Sequence, residues 1–302
     1  MDAGAAADYA APMAAAKKPL IKNRELRRLA HEARMLFTRL DERTLARLRR
    51  RRLVFTLTNG RSGSMVLYSL FDLIENVEAA HEPDPRLDFH RPRASRDAAY
   101  ARRVIDRLKL PAISEGNAPV YVETNNLIVK AYADALEAAA DKYELDLAYI
   151  VLTRPARDIA RSMLRLNTIP GRSRIAKYFY NDPSEPCLLQ PTDPDALTDY
   201  QLCYWQTLET EARQAACGVR AEAAGRRVAR VALADLNAPG GFENLIDALD
   251  LPMTDEDRSR VAAFRGRTVN EKSWAGPAAA RTSDAELDAA EAAVRREVGL
   301  AA

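Results

Sequence analysis

The chain has 302 residues, of which 47% are hydrophobic and 29% are charged; it is long enough for one large α/β domain or two small ones, and one domain is the simpler interpretation. A formal net charge of +2 excludes a strong overall field, and no run approaches the roughly 18 apolar residues of a membrane span. The three cysteines include no CxxC pair, which argues against a disulfide framework or a zinc site, and the opening lacks a signal-peptide pattern, so we expect a cytoplasmic protein.

The first predicted elements are a leader and a basic helix. Residues 1–20 are rich in alanine and predict a disordered leader, and residues 21–302 are expected to form a single domain. Apolar residues at helical spacing then predict an amphipathic helix with a basic outer face; they are Leu26, Leu29, Ala33, Leu36 and Leu40. A second basic run, RLRRRR, covers residues 47–52. It is interpreted either as a solvated charge cluster or as a patch that attracts anionic ligands, nucleic acid or membrane.

Short apolar runs alternate with helical patterns from residue 53 to about residue 250. They lack clean period-two alternation, which is typical of strands buried on both faces of a parallel sheet. The runs cover residues 53–57, 77–80, 119–123, 147–153 and 227–233. We therefore predict an α/β fold, a three-layer sandwich in which a mainly parallel sheet of about five strands lies between helices. The proline-rich segment 169–195 is the longest predicted loop, and it either covers the site or is a surface excursion.

The segment TNGRSGSMVL, residues 58–67, has the pattern of an anion-binding loop. It leaves the first predicted strand and enters a helix, where the backbone amides around Gly60 and Gly63 and the positive helix end favour an anion. A nucleotide triphosphatase loop would follow its last glycine with Lys and a magnesium-binding Ser or Thr, whereas Gly63 is followed by Ser and Met. Because Arg61 is the only cation in the loop, the chemistry favours an anion held without a metal.

A second segment, YIVLTRPARDIARSML at residues 149–164, provides a guanidinium and a hydroxyl for another anion. Arg154 ends a predicted strand, and Ser162 lies eight residues later in the helix that follows. A strand-end arginine and a hydroxyl on the adjoining helix can converge on one phosphate, with the arginine donating two parallel hydrogen bonds. The alternative is a helix cap beside a surface charge.

These two segments, in this order, resemble the PAPS-dependent sulfotransferase family of bacterial type, whose sulfuryl donor is 3′-phosphoadenosine-5′-phosphosulfate (PAPS). The resemblance spans about residues 53–274 and implies a P-loop-like sulfotransferase fold that needs no metal. The residues that it implies for donor binding are Asn59, Gly60, Arg61, Ser62, Gly63 and Ser64 at the 5′-phosphosulfate, and Arg154 and Ser162 at the 3′-phosphate. Two departures are Met65, where many members have a second hydroxyl, and Pro155, which members usually place one residue later.

The resemblance also implies catalytic residues. Members of the bacterial and tyrosyl-protein type have a glutamate base at the end of the second strand, and Glu82 in the segment HEPDP matches it. His81 is the helper or the second candidate for the base, and Arg61 supplies positive charge for the transferred group. The alternative is that this pair caps a turn fixed by prolines. Residues 123–126 are expected to line the acceptor side, while Lys130 is expected to lie a helical turn too late for the lysine that many members carry near this point.

Later segments match the family more loosely. Residues 231–252 resemble its strand, turn and helix near the end of the sheet, and Tyr204 lies in a helix interpreted mainly as core, with the donor's adenine as a second interpretation. The basic stretch 264–274 is a candidate for a late loop over the donor; its candidate residues are Arg265, Arg267, Asn270 and Lys272.

Two other classes of function are open at this stage. One is a phosphotransferase with a degenerate P-loop, and the other is a nucleotide-fold binding module that uses its basic helix. For the sulfotransferase, the acceptor is expected to be a small molecule or carbohydrate with a hydroxyl or amine, and no nucleic-acid partner is expected. The sequence leaves the acceptor's identity and the oligomeric state open.

Overall fold

The protein is an α/β structure built on a five-stranded, all-parallel sheet. The computed structural model describes residues 24–264 and 283–301. The strands are β1 (Arg52–Thr58), β2 (Val77–His81), β3 (Val120–Thr124), β4 (Asp146–Thr153) and β5 (Val228–Ala232). They lie in the order β2-β3-β1-β4-β5. The prediction of a mainly parallel sheet of about five strands between helices is confirmed, and each strand lies within two residues of its predicted run.

Helices cover both faces of the sheet. In chain order they are α1 (Arg24–Phe37), α2 (Glu42–Leu48), α3 (Ser64–Phe71), α4 (Arg91–Ala94), α5 (Ala98–Val104), α6 (Leu110–Ile113), α7 (Ala133–Tyr143), α8 (Ala156–Arg165), α9 (Asp199–Ala223), α10 (Leu233–Asn237), α11 (Gly241–Ala248), α12 (Asp255–Phe264) and α13 (Asp284–Glu297). Two stretches, Ile105–Lys109 and Ile128–Tyr132, are π-helical. Among the helices so described, none is both long enough and apolar enough to cross a membrane.

Alternate residues of β1 fill two separate cores, which gives the three layers. Phe55 and Leu57 belong to the core shared with α5, α6 and α7. Val54 belongs to the core on the other face, with residues of α3 and α11. Because successive side chains of a strand point to opposite faces, a central strand covered on both sides must be apolar throughout. This explains why the sequence of β1 shows no alternation.

Helix α1 turns Arg27 inward and its leucines outward, which is the reverse of the predicted orientation, although Arg34 is exposed. Arg27 pairs with Asp84 and lies over the Phe89 ring at 4.9 Å, and its side chain is only 16% exposed. The leucines at positions 26, 29 and 36 are 53%, 51% and 71% exposed. The surface below α1 presents a carboxylate and a histidine, which contact polar side chains of the helix, while the apolar face is left outside.

The basic run 47–52 is tied into the fold by ion pairs. Arg51 is buried and pairs with Glu78, and Arg52 pairs with Asp146 at 2.8 Å and donates to two backbone carbonyls at 2.8 and 2.9 Å. Arg49 pairs with Glu42. These three guanidiniums already have acceptors, which favours the interpretation as a structural charge cluster.

Candidate functional site

The loop that follows β1 is held in a left-handed backbone conformation. Gly60, Arg61 and Gly63 have φ of +78°, +62° and +93°, and Gly63 is the N-cap of α3. A Cβ on Gly60 would lie 2.6 Å from Nδ2 of Asn126, and a Cβ on Gly63 would lie 2.3 Å from Cδ1 of Leu233. Glycine suits these two positions, because the positive φ strains any residue that has a side chain and a Cβ would force the neighbouring side chain to move. The loop therefore curls closely before a helix N-terminus, where free N–H groups attract anions.

The structure brings the two predicted anion-binding segments together. Nε of Arg61 donates to Oγ of Ser162 at 3.0 Å, and the Arg154 guanidinium donates to the backbone carbonyl of Arg61 at 3.2 Å. This contact arises because β1 and β4 are neighbours in the sheet, and their carboxyl ends deliver both segments to one edge. Asp158 accepts from Arg154 at 3.4 Å and balances part of its charge.

Other loop residues use their side chains to hold the loop itself. Nδ2 of Asn59 donates to the carbonyl of Thr207 at 3.2 Å, and Oγ of Ser62 donates to the carbonyl of Gly60 at 3.3 Å. Both side chains are buried, whereas Ser64 is half-buried at the first position of α3. The residues left to contact an anion by side chain are therefore Arg61 and Ser64, beside the backbone amides of the loop.

Lys130 lies against the loop, which the sequence did not predict. Its amino group is fully buried and donates to the carbonyl of Asn59 at 2.7 Å and to the carbonyl of Phe179 at 2.8 Å. Burial lowers the pKa of Lys130 well below its usual value, and the positive charges of Arg91 and Arg213 act in the same direction. The π-helical turn at 128–132 changes the direction of this side chain relative to an ordinary helix. A lysine inside the apolar stretch LIVKAY was the available signal.

The candidate base lies at the end of β2, on the same edge of the sheet. Glu82 has φ of +44°, and its carboxylate accepts from Arg86 at 3.3 Å. Nδ1 of His81 lies 2.8 Å from Oγ1 of Thr124, which ends β3. Burial lowers the pKa of His81, while the negative charge of Glu82 opposes that shift. At neutral pH the imidazole is therefore uncharged and available as an acceptor or donor.

Glu82 and Arg61 both act electrostatically on one buried phenol, that of Tyr180. Burial raises the pKa of Tyr180; the guanidinium of Arg61 lowers it and the carboxylate of Glu82 raises it. Tyr180 belongs to the predicted long loop, and its ring also lies 4.7 Å from the amino group of Lys130.

The long loop covers this edge of the sheet and is firmly held. Arg91 is fully buried and donates to Glu185 at 2.9 Å and to Asn181 at 3.1 Å. The carboxylate of Glu209 in α9 accepts from the backbone N–H of Leu188 at 3.1 Å. Lys130 donates both to Asn59 of the anion-binding loop and to Phe179 of this segment, so the segment lies beside the site, and the interpretation as a covering segment is favoured over that of a surface excursion.

Glu123 is a structural residue at the end of β3. It is fully buried, pairs with Lys109, and accepts from Tyr121 at 2.6 Å and from Asn125 at 3.0 Å. These contacts satisfy its carboxylate inside the core, so Glu123 does not line an acceptor site as expected. Asn126, in contrast, stays beside Gly60.

A groove of about 550 Å³ lies between α5, α9 and the covering segment. Its lining includes Arg102, Cys187, Arg213 and Arg220, and also Lys130, which donates to the carbonyl of Asn59 in the anion-binding loop. Burial raises the pKa of Cys187 to about 12, so the thiol is protonated and unreactive at neutral pH. The groove is separate from the anion-binding segments, none of whose residues lines it.

The structure bears on one of the looser predictions, the one for Tyr204. Tyr204 is buried in α9, and its hydroxyl accepts from Arg295 at 3.3 Å, which supports its assignment to the core. The candidate residues of the late basic loop lie outside the described residues, as does the predicted leader.

Comparison with protein-family models found no match, and no curated protein matched the chain. Arg61, Arg154, the hydroxyl of Ser162 and the glycine loop meet where β1 and β4 end. Glu82 and the uncharged imidazole of His81 lie at the same end of β2, the outermost strand on one side of the sheet.

Proposed function

We propose that this protein is a sulfotransferase, which moves a sulfuryl group from PAPS to a hydroxyl or amine of a small-molecule or carbohydrate acceptor. The observation that carries the proposal is the contact between the two segments, in which Arg61 donates to Ser162 at 3.0 Å. A donor that bears phosphate at both the 5′ and the 3′ positions needs two anion-binding groups a few ångströms apart. The loop at residues 59–64 and the pair of Arg154 and Ser162 meet this requirement.

The chemistry of these residues supports PAPS as the donor. Gly60 and Gly63 carry no side chain and have positive φ, which lets the loop turn its backbone amides toward an anion. Amides, hydroxyls and a guanidinium suit the oxygens of a phosphosulfate, and a strand-end arginine with a helix hydroxyl suits a terminal phosphate. When bound, PAPS supplies the sulfuryl group, and its phosphate leaves as a stable anion.

The reaction that we propose balances without a further reactant. The acceptor oxygen or nitrogen forms a bond to sulfur while the bond from sulfur to the bridging phosphate oxygen breaks. The electron pair leaves with 3′-phosphoadenosine 5′-phosphate, and the acceptor's proton passes to Glu82. Arg61 stabilises negative charge on the transferred group, and His81 is the second candidate for the proton acceptor.

Calorimetric titration with 3′-phosphoadenosine 5′-phosphate and, separately, with ATP and Mg²⁺ tests the proposal. We expect the bisphosphorylated nucleoside to bind, and Arg61→Ala to weaken that binding by about 10- to 100-fold through the loss of charge-assisted hydrogen bonds. Arg227→Ala is the matched control, since Arg227 precedes β5 at the opposite edge of the sheet and forms an exposed pair with Asp250. Tight binding of ATP with Mg²⁺ alone would instead favour a phosphotransferase.

A transfer assay addresses the reaction itself. Incubation with sulfur-labelled PAPS and a metabolite extract should give one labelled product with the intact protein and none with Arg61→Ala. Labelled product from both proteins would count against the proposal.

A further inference from the structure

Helix α1 presents an apolar face to solvent along its whole length. The six residues of this face, which we call the α1 stripe, are Leu26, Leu29, Ala30, Ala33, Leu36 and Phe37, and all are exposed. Phe37 is 84% and Leu36 is 71% exposed. An exposed run of large apolar side chains on one helix face is unusual for a surface that contacts only water.

The opposite face of α1 is fixed to the body of the protein, so the helix cannot roll its stripe inward without breaking these bonds. Met35 is buried in the core, and its carbonyl accepts from Arg107 at 2.9 Å. Nδ1 of His31 lies 3.1 Å from Nε2 of the buried His90, and Arg27 pairs with Asp84. The stripe is therefore held outward by contacts that span the helix.

We propose that the α1 stripe is a dimerisation surface, on which α1 of a second copy of this chain packs antiparallel. The large and small residues are spaced so that the stripe is complementary to itself. The intervals from Leu26 to Leu29, Ala33 and Leu36 are three, four and three residues, and this series reads the same in both directions. When a second helix packs antiparallel, each apolar residue of the stripe therefore lies opposite an apolar residue of the other copy.

The paired layers also match in size. With the two helices related by a twofold axis near His31, Leu26 packs against Leu36 of the second copy. Leu29 packs against Ala33 of the second copy, so a large side chain meets a small one and the helices can approach closely.

The helix dipoles favour the same orientation. Antiparallel packing sets the positive amino end of each α1 beside the negative carboxyl end of the other copy. A parallel pair would place like dipole ends together.

The small area of the α1 stripe limits the expected affinity of the dimer. A 14-residue helix is about 21 Å long, so a single helix pair buries less than the roughly 1,200–2,000 Å² of a standard interface. The dimer should therefore dissociate on dilution.

Sedimentation equilibrium of the full chain over a wide concentration range tests the proposal. We expect a monomer–dimer equilibrium for the native protein, and a monomer at every concentration for Leu29→Glu, which places a charge in the centre of the stripe. Val219→Glu is the matched control, because Val219 is 64% exposed on α9, and that variant should dimerise as the native protein does. Far-ultraviolet circular dichroism checks that each variant is folded.

Two outcomes would overturn the proposal. One is a native protein that stays monomeric up to its solubility limit, which would leave the stripe for another segment of the chain, such as residues 1–23, or for a different partner. The other is a dimer that Leu29→Glu leaves unchanged, which would move the interface elsewhere.

Cross-linking tests the orientation separately. A mixture of Leu26→Cys and Leu36→Cys proteins, treated with a short bismaleimide, should give a cross-linked dimer above the native background. Leu26→Cys alone should give none, because antiparallel packing separates the two copies of position 26 by about 15 Å along the axis. Cross-linking of Leu26→Cys with itself and not in the mixture would contradict the antiparallel arrangement.

Discussion

Lowering the pH from 7 to 5 should destabilise the protein through one buried histidine, His90. This residue is 1% exposed, with Nε2 at 3.1 Å from Nδ1 of His31 and Nδ1 at 2.6 Å from the hydroxyl of Tyr100. Burial, together with the positive charges of His31 and Arg28, lowers the pKa of His90 from 6.5 to about 3. The neighbouring Glu32 accepts from Tyr100 at 3.3 Å and does not offset this shift.

The sign and size of the effect follow from proton uptake. Between the folded pKa of about 3 and the unfolded pKa of 6.5, the unfolded chain binds a proton at His90 and the folded chain does not. Stability is therefore full above about pH 7 and falls as the pH decreases through this window. At pH 5 the difference of 1.5 units from the unfolded pKa corresponds to about 2 kcal/mol.

Urea unfolding of the native protein and of His90→Gln at pH 7 and pH 5 measures this contribution. Carboxylates also titrate near pH 5, but they do so in both proteins, so their effect cancels in the comparison. We expect the native protein to lose about 2 kcal/mol more than the variant between the two pH values. Equal losses in the two proteins would show that His90 is not held neutral by its surroundings.

Three further predictions concern the loop, the covering segment and the base. Gly63→Ala should lower the free energy of unfolding by about 2–4 kcal/mol, because alanine is strained at this positive φ and its methyl group would press on a neighbouring side chain. Gly225→Ala, at a positive φ with no close neighbour, has the backbone penalty alone and should cost about 1 kcal/mol in the same urea titration. Arg91→Met leaves the buried carboxylate of Glu185 without its partner and should cost about 3–5 kcal/mol, whereas Arg230→Met breaks an exposed pair and should cost under about 1 kcal/mol. Similar losses in the two variants would contradict the conclusion that Arg91 holds the covering segment in place. Glu82→Gln should slow sulfuryl transfer by at least about 100-fold and leave nucleotide affinity unchanged, and undiminished transfer would remove this residue as the base.

The layered fold was predictable because the patterns that cause it lie within short segments of the sequence. Apolar runs without alternation, such as residues 53–57, indicate strands covered on both faces, and helical periods between them indicate crossovers. The convergence of Arg61 and Arg154 was also predictable, since parallel strands deliver their following loops to one edge of the sheet. The spatial order of the strands was not encoded in any single segment.

Other features could not be predicted because they depend on contacts distant in sequence. The periodicity of α1 indicates two faces but not which face turns inward, and Asp84 and His90 decide that from outside the helix. The placement of Lys130 depends on a π-helical turn, which has no sequence signature. The local pattern likewise gave no sign that Glu123 would be enclosed by Lys109.

The amino group of Lys130 joins two walls of the site, because it donates to a carbonyl of the loop and to a carbonyl of the covering segment. Pulling these walls apart would leave buried donors without acceptors, a change that costs on the order of 1–3 kcal/mol for each group. The loop and the covering segment are therefore held together in the free protein, so under the proposed function we expect a site that is already formed when the nucleotide binds. Slow amide hydrogen exchange at residues 176–180 in the free protein, unchanged by nucleotide, would be the signature of such a preformed cleft.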